Sequence, residues 1–288
     1  LERELGVDLQ IGGPVVASAI GLRTYLPPLL DAVVANRWTI DRVVFHRYGE
    51  TDSKPTTTVS DITREQIAVA RAAVADRQAA AAAAGVVLDP VISINEWGWS
   101  ATASSDVART GAGAAFAISQ LATFVDTGIG AADYFAVQDN KAPPKRCSEP
   151  CEASGTDMIG FGLLDRNDAK RPAYHAFEFF NRLGPDRVAA TYEGPQLGDK
   201  QEWGALAGRD AAGVVRVLLW NFDPNSEGAT VTPQLALTGL DAASVQIEQT
   251  TADMVAGDEP TTAVVDPGEL ALTLGPNTAT LLTFSPPG

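Results

Sequence analysis

The sequence predicts an α/β fold that contains a parallel sheet and continues into an all-β sandwich domain. In the first two-thirds of the chain, strand-like runs that are apolar on both faces alternate with helical stretches. This alternation is typical of parallel sheets covered by helices. After Gly184 the pattern changes to short strands separated by Gly, Pro, Asn and Asp turns, as in a β-sandwich. We therefore expect one domain over 1–184 and a second over 185–288.

The first domain is predicted to contain four strand–helix units. The strands are expected at Val7–Ser18, Asp41–Gly49, Val86–Gly98 and Ala132–Asp139, and the helices at Thr24–Trp38, Asp61–Gly85, Ser105–Gly128 and Arg171–Gly184. Pro27 and Pro28 are expected near the first turn of their helix, where proline is tolerated. Gly85 and Gly184 are typical helix stops. The pattern leaves a doubly wound sheet and a (β/α)8 barrel open as architectures.

Charge and hydropathy exclude some classes of function. Asp plus Glu number 36 and Lys plus Arg 21, a formal charge of −15, whereas nucleic-acid binders normally carry the opposite sign. No apolar run approaches the ~20 residues of a membrane span. The run "GAGAAF" at Gly111 lies inside a helix signal and lacks the third small residue of a nucleotide-binding loop, so it favours helix packing. No metal or organic cofactor is expected.

The two cysteines, Cys147 and Cys151, flank Pro150 in "RCSEPCE". Paired cysteines in a loop favour a small disulfide over free thiols, and a disulfide implies a secreted or cell-surface location. A zinc site would need about four N or S ligands. The two histidines, His46 and His175, lie in other segments.

Polar and aromatic residues collect where three predicted strands end. The carboxyl edge of a parallel sheet is where sites are built, and carboxylates, indoles and hydrogen-bonding side chains are the components of a sugar site. Taken singly, a Glu after a strand is more often a cap or an ion-pair member, and a Trp often packs under a loop. The candidates are His46 and Tyr48 after the second strand, Asn95, Glu96, Trp97 and Trp99 after the third, and Gln138 and Asp139 after the fourth.

These motifs resemble a known family. "VVFHRYG" followed by "ISINEWGW" resembles the sixth and seventh strands of clan A glycoside hydrolases, most closely family 39, which includes β-xylosidases and α-L-iduronidases. "DLQIGGPVVAS" fits the fifth strand, and "GLLDRNDAKRPAYHAFEFFNRLG" is similar to the segment entering the eighth helix. The resemblance implies the C-terminal half of a (β/α)8 TIM barrel, strands five to eight, followed by a β-sandwich. The chain starts at Leu1 without Met, and we expect the N-terminal half-barrel to be a separate, cleaved or omitted piece.

The resemblance also implies a chemistry, that of a retaining glycoside hydrolase acting on an oligo- or polysaccharide. Glu96 would be the nucleophile, His46 and Tyr48 would line the sugar subsite, and the acid/base carboxylate would lie in the N-terminal half. Two departures concern the substrate: Asn95 replaces the commoner Thr, and "FAVQDN" stands where a strand-ending Trp is usual. The alternatives are a non-catalytic carbohydrate-binding protein derived from a glycosidase, and an α/β domain unrelated to sugars.

Overall fold

The computed structural model describes residues 9–50, 57–100, 106–139, 161–190, 197, 199–235 and 242–286. The helices are α1 Ala19–Asn36, α2 Val59–Ala84, α3 Asp106–Arg109, α4 Gly111–Thr127 and α5 Pro172–Arg182, with one 3₁₀ turn at Pro267–Glu269. The strands are β1 Gly12–Val16, β2 Arg42–Tyr48, β3 Val91–Gly98, β4 Ala131–Tyr134, β5 Asp186–Val188, β6 Glu202–Arg209, β7 Val215–Phe222, β8 Ser244–Thr250, β9 Thr261–Val265 and β10 Thr278–Ser285.

The chain forms two compact units. Unit 1 comprises Leu1–Gly49, Ser60–Gly98 and Thr123–Phe135, and unit 2 comprises Glu50–Val59, Trp99–Ala122 and Ala136–Gly288. Unit 1 contains a parallel sheet, and unit 2 contains an antiparallel one. The predicted domains, 1–184 and 185–288, follow strand type rather than compactness and stay a prediction.

The parallel sheet of unit 1 has four strands in chain order, β1-β2-β3-β4. All three neighbouring pairs are parallel, as the predicted alternation requires. Phe45 and Ile94 at its centre are fully buried, because strands covered by helices carry apolar side chains on the covered face. The predicted fourth strand is too long: β4 ends at Tyr134.

Helices α1 and α2 of unit 1 begin earlier than the sequence predicted. Ser18 caps α1, and its hydroxyl accepts a hydrogen bond from the Gly21 amide at 3.0 Å. The expectation that Pro27 and Pro28 lie near the first turn is therefore wrong, since both lie inside the helix. The buried face of α1, with Leu22, Leu26 and Leu30 fully enclosed, offsets the backbone hydrogen bonds that proline cannot donate.

Unit 2 is built on a six-stranded antiparallel sheet in the order β5-β6-β7-β10-β8-β9. The central strands β7 and β10 pair from Thr278↔Asn221 to Phe284↔Val215. One face of the sheet forms an apolar core, to which Leu219, Leu282 and Phe284 contribute buried side chains. A bridge between Val231 and Leu274 lies across this core. The predicted all-β pattern after Gly184 is confirmed as an antiparallel sheet.

The glycine run before Phe116 packs a helix, as predicted, and does not form a phosphate loop. Gly111 opens α4 where the backbone of Thr251 approaches it. A Cβ on Gly111 would overlap the Thr251 carbonyl oxygen and lie 2.6 Å from its carbon and 2.9 Å from the Ala252 Cα. The contact therefore needs a residue without a side chain.

We predict that Gly111→Ala destabilises the chain by about 1–3 kcal/mol, because backbone must shift to admit the methyl group. Chemical denaturation of the variant and the parent measures the difference. Gly268→Ala is the matched control, because a Cβ there has nothing within 4 Å and should change stability by less than ~0.5 kcal/mol. Equal effects of the two substitutions would contradict the packing role.

A polar cluster joins α5 to the residues around Asp258 within unit 2. Nδ1 of buried His175 lies 2.8 Å from Glu178 Oε2, and its Nε2 lies 3.1 Å from the Asp258 carbonyl oxygen. Lys170 Nζ donates to Glu178 Oε1 at 2.9 Å. Burial raises the pKa of the Glu178 carboxyl, but the hydrogen bonds from Lys170 and His175 outweigh it and hold that pKa below its ordinary value.

A carboxyl whose pKa is lower in the folded state than in the unfolded state adds stability above the unfolded pKa and loses it as the pH falls. We predict that Glu178→Gln costs stability at pH 7 by under ~1 kcal/mol, since the group is partly exposed, and that the difference from the parent narrows below about pH 4.5. Denaturation at pH 7 and pH 4 checks this. Glu269→Gln, at an exposed site, is the matched control and should change stability by less than ~0.5 kcal/mol. A Glu178→Gln deficit that stays constant between these pH values would contradict the linkage.

Candidate active site

A β-bulge in β3 decides which face of the sheet Glu96 occupies. Phe45 pairs with Ile94 and His46 pairs with Glu96, so Asn95 is the extra residue of β3. Strict alternation would place Glu96 on the same face as Ile94. Because one residue is inserted, Glu96 instead shares a face with His46 and Tyr48 of β2. Bulges are common next to active sites, where they re-aim a side chain.

Two side chains from the neighbouring strand lie beside the Glu96 carboxylate, and one of them hydrogen-bonds it. The Tyr48 hydroxyl donates a hydrogen bond to Glu96 Oε1. His46 Nε2 lies 3.7 Å from Glu96 Oε2. The carboxylate keeps 29% of its side-chain exposure and His46 keeps 22%, so both can reach a ligand. The structure therefore brings together three of the six residues that the sequence singled out at the ends of β2 and β3.

The path of the Tyr48 ring crosses a glycine. Tyr48 pairs with Gly98 in the β2–β3 ladder, and a Cβ at Gly98 would lie 3.9 Å from Tyr48 Cε1 and 3.3 Å from the Phe135 carbonyl oxygen. A methyl group there would be in ordinary contact with the ring and tight only against the Phe135 carbonyl, so the Tyr48 ring lies beside Gly98 without requiring a glycine. Its hydroxyl reaches Glu96, which precedes Gly98 on the strand.

The packing of Trp97 favours a structural role, and its predicted stacking on a sugar stays a prediction. Trp97 points to the face opposite Glu96, because it pairs with Arg47 and the bulge lies before Glu96. Its side chain is fully buried and packs edge-on against Phe124, with ring centroids 5.1 Å apart, and against Tyr134 at 4.9 Å. The ring anchors the end of β3 to the covering layer.

Arg47 was missed by the sequence analysis, although it lies between two candidates. Its side chain is on the covered face of β2 and is 2% exposed. Arg47 Nε donates to the Thr63 hydroxyl of α2 at 2.8 Å, and Nη1 donates to the carbonyl oxygen of Tyr48. Period-two alternation in β2 could have revealed this position, because it places Arg47 on the same face as Phe45, the face that the helices cover.

Asp133 is a second residue near the candidate site that the sequence analysis did not identify. Ala132 pairs with Ile94 and Tyr134 pairs with Trp97, so Asp133 between them lies on the face of the sheet that carries Glu96. Its side chain is exposed, as is that of Asn95. Period-two alternation in "AADY" would have identified Asp133 once the start of β4 was known.

The remaining predicted site residues lie in unit 2, where each has packing or polar contacts. Trp99 packs edge-on against Phe116 and Phe222, with ring centroids 5.4 Å and 5.6 Å apart. Gln138 donates to Asp168 Oδ1. These contacts favour structural roles, and sugar contact by these side chains stays a prediction.

Asp139 has the clearest structural role of this group. It is completely buried, bound to the Arg171 guanidinium, and accepts the Gly162 amide at 2.7 Å. It lies beyond β4, where the Asp139 amide donates to the Leu164 carbonyl at 3.0 Å. Since the segment pairs there instead of along β3, the predicted placement of Gln138 and Asp139 at the end of the fourth strand is wrong.

The remaining predictions concern a disulfide, metal ligands and membrane spans. Cys147 and Cys151 lie outside the described residues, so their disulfide stays a prediction. Within the described ranges, His, Cys, Asp and Glu side chains form no group of three or more suited to a metal ion. Among those same residues, no helix is both long and apolar enough to cross a membrane.

Comparison with known proteins confirms the resemblance to family 39 glycoside hydrolases. The chain is 24% identical over 192 residues to a β-xylosidase of Caldicellulosiruptor saccharolyticus, a match that covers 66% of this chain and 36% of the relative. No protein-family model matches the sequence.

Solved structures share the fold. A monomeric β-xylosidase from Caulobacter crescentus CB15 matches with a TM-score of 0.64 at 15% identity, over 99% of this chain and 63% of that one. The family 39 enzyme from Xanthomonas axonopodis pv. citri matches with a TM-score of 0.61 at 19% identity, over 99% and 62%. The chain thus spans about a third of the curated relative and less than two-thirds of each of these structures.

Proposed function

We propose that the chain is part of a retaining glycoside hydrolase in which Glu96 is the nucleophile. The observation that carries the proposal is the Tyr48–Glu96–His46 arrangement on one face of a parallel sheet. A partly exposed carboxylate at a strand end, held by a phenol donor, is suited to attack a sugar carbon. The similarity to a β-xylosidase and to family 39 structures supports the same reaction class.

The reaction would proceed in two displacements. First, a Glu96 oxygen bonds to the anomeric carbon while the bond from that carbon to the leaving oxygen breaks, and an acid/base carboxyl protonates the leaving oxygen. Second, the same group, now a carboxylate, removes a proton from water. The water oxygen attacks the anomeric carbon and releases Glu96 as a carboxylate. The net change is hydrolysis with retention.

Tyr48 and His46 would have distinct tasks. The Tyr48 hydroxyl bonds to one Glu96 oxygen and so fixes the direction of the other oxygen. His46 lies beside Oε2 and has a partly exposed ring, so it can bond a sugar hydroxyl. Asn95 and Asp133, both exposed at the same strand ends, are candidates for further hydroxyl contacts.

Glu96→Gln tests the assignment, because it keeps the shape of the side chain and removes the nucleophile. We predict a loss of at least ~10³ in turnover of an aryl β-xyloside, several kcal/mol of barrier, with sugar binding largely retained. The matched control is Glu65→Gln on α2, where the carboxylate pairs with Arg23 and activity should stay within about twofold.

Several outcomes would count against the nucleophile. Turnover that survives Glu96→Gln with only a drop in melting temperature would make Glu96 a structural ion-pair member. Sugar binding by a parent chain that stays inactive when complete would favour the alternative, a non-catalytic carbohydrate-binding protein.

We further propose that four more strand–helix units complete a (β/α)8 barrel around β1–β4 and supply the acid/base carboxyl. Strands β1 and β4 are the two edges of the described sheet, and open edges are unfavourable in water. Large apolar side chains are exposed beside β1: Ile11 at 52% and Val15 at 47%, with Ile20 at 75% and Tyr25 at 60% on α1. Such exposure is typical of a surface that another element covers.

Hydrogen exchange tests this completion. In the chain by itself, the amides of β1 should exchange much faster than those of β7, because β7 is central in its sheet and β1 is an edge strand. Adding the segment encoded upstream of Leu1 in the parent reading frame should slow exchange in β1 and leave β7 unchanged. Full protection of β1 in the monomeric chain, with no further slowing, would contradict the proposal.

The proposal extends to the substrate of the enzyme and to its location. The substrate would be an oligo- or polysaccharide, with β-xylosides the first to assay because a relative is named for them. The predicted Cys147–Cys151 disulfide supports a secreted or cell-surface enzyme. Intact mass with and without reductant decides the disulfide.

A further inference from the structure

We propose that Arg47 is a positioning residue that holds the backbone of Tyr48, and through it the phenol hydroxyl, against Glu96. The catalytic consequence rests on the proposed function of Glu96, whereas the mechanical link is a feature of the fold. Arg47 touches neither the carboxylate nor the face on which a sugar would bind. It acts from the covered side of the same strand.

The hydrogen bonds of Arg47 link two structural elements, β2 and α2. Its Nε donates to the Thr63 hydroxyl of α2 at 2.8 Å, and its Nη1 donates to the Tyr48 carbonyl. Thr63 is fully buried and Arg47 is 2% exposed. One guanidinium therefore ties the last residue of β2 to the helix packed behind it.

Tyr48 needs such a tie because β2 ends with it. On the β1 side the pairing of β2 ends at Phe45, whereas on the β3 side the Gly49 and Glu50 amides still donate to the Gly98 and Trp99 carbonyls, at 3.1 Å and 2.7 Å. At a strand end the backbone has fewer bonds on one side and moves more readily. The phenol hydroxyl is the far end of a long side chain, so a small rotation of the Tyr48 backbone moves it away from Glu96. Hydrogen bonds weaken steeply with such misalignment.

A guanidinium suits this position better than an ammonium. Its planar fork presents donors in fixed directions and can bond the Thr63 oxygen and the Tyr48 carbonyl together. Burying a charge costs stability unless it is well hydrogen-bonded. A residue that served only to fill the space beneath β2 would be apolar, as Phe45 is on the same face.

Arg77 offers a matched control. It is also an arginine of unit 1, with Nε donating to Asp31 Oδ1 at 2.7 Å, so its ion pair joins α2 to α1. Arg77→Met removes the same side-chain chemistry and one ion pair. It should lower stability slightly and leave the Tyr48 hydroxyl in place.

The test uses the full chain with 3-fluorotyrosine in place of its five tyrosines, read by ¹⁹F NMR. The resonance of Tyr48 is the one lost in Tyr48→Phe, and Glu96→Gln gives the displacement of a phenol that has lost its carboxylate acceptor. We expect Arg47→Met to move the Tyr48 resonance in the same direction by at least half that displacement. Arg77→Met should leave it unmoved.

A second variant protects the test against misfolding. Thr63→Val removes the acceptor of Arg47 Nε and keeps the volume and the buried charge, so a smaller displacement in the same direction is expected. An unmoved Tyr48 resonance in folded Arg47→Met would overturn the inference, even if the melting temperature fell. If Arg47→Met does not fold, an unmoved resonance in Thr63→Val would overturn it.

Kinetics separate this inference from the proposed function. In the active enzyme, Arg47→Met should lower kcat by about tenfold with KM within twofold, since only the aim of Glu96 changes. The loss of kcat caused by Arg47→Met should vanish in a Tyr48→Phe background, because Arg47 acts through the phenol hydroxyl that Tyr48→Phe removes. Equal effects in both backgrounds would overturn it. If Glu96→Gln leaves turnover intact but the ¹⁹F displacements appear, the proposed function fails and the Arg47–Tyr48 link stands.

Discussion

The extra residue at Asn95 is the constraint on which the arrangement around Glu96 depends. A strand presents alternate side chains to its two faces, and a single inserted residue exchanges the faces of everything beyond it. Up to Ile94, β3 pairs with β2 in one register, and from Glu96 onward that register is shifted by one residue. If β3 alternated strictly through Asn95, Glu96 would face the helices and Trp97 the open face. Chemistry and packing are thus fixed by the same backbone irregularity.

The two faces of β2 and β3 have different roles. His46, Tyr48 and Glu96 occupy one face, where Tyr48 is buried and His46 and Glu96 keep partial access to solvent. Arg47 and Trp97 pair on the other face, where both are buried. Since the covered face carries an arginine bonded to α2 and an indole packed on Phe124 and Tyr134, the strand ends are held from behind. A carboxylate that must be aimed within about 0.5 Å benefits from such support.

The sequence predicted the parallel sheet, the antiparallel sheet and the meeting of His46, Tyr48 and Glu96, because apolar strands with polar ends carry a local signal. It failed where distant contacts decide. Trp97 was assigned to the sugar although adjacent strand residues point to opposite faces, and its packing against Phe124 and Tyr134 is the distant contact that shows its side. Asp139 was assigned to the sugar because its partner Arg171 lies far along the chain. The start of the first helix was predicted too far along the chain, because Pro27 and Pro28 are typical of a first turn. Ser18, a common N-cap residue type, would have indicated the correct start.

Covalent trapping tests the role of Glu96 most directly. A 2-deoxy-2-fluoro xyloside with a dinitrophenolate leaving group needs no acid to expel that group, so it probes the nucleophile even if the acid/base carboxyl is supplied by another segment. The fluorine slows both steps, and the good leaving group restores only the first, which lets the glycosyl-enzyme accumulate. Peptide mapping by mass spectrometry should find the label on Glu96, with none in Glu96→Gln. A covalent label on any other residue would contradict the account.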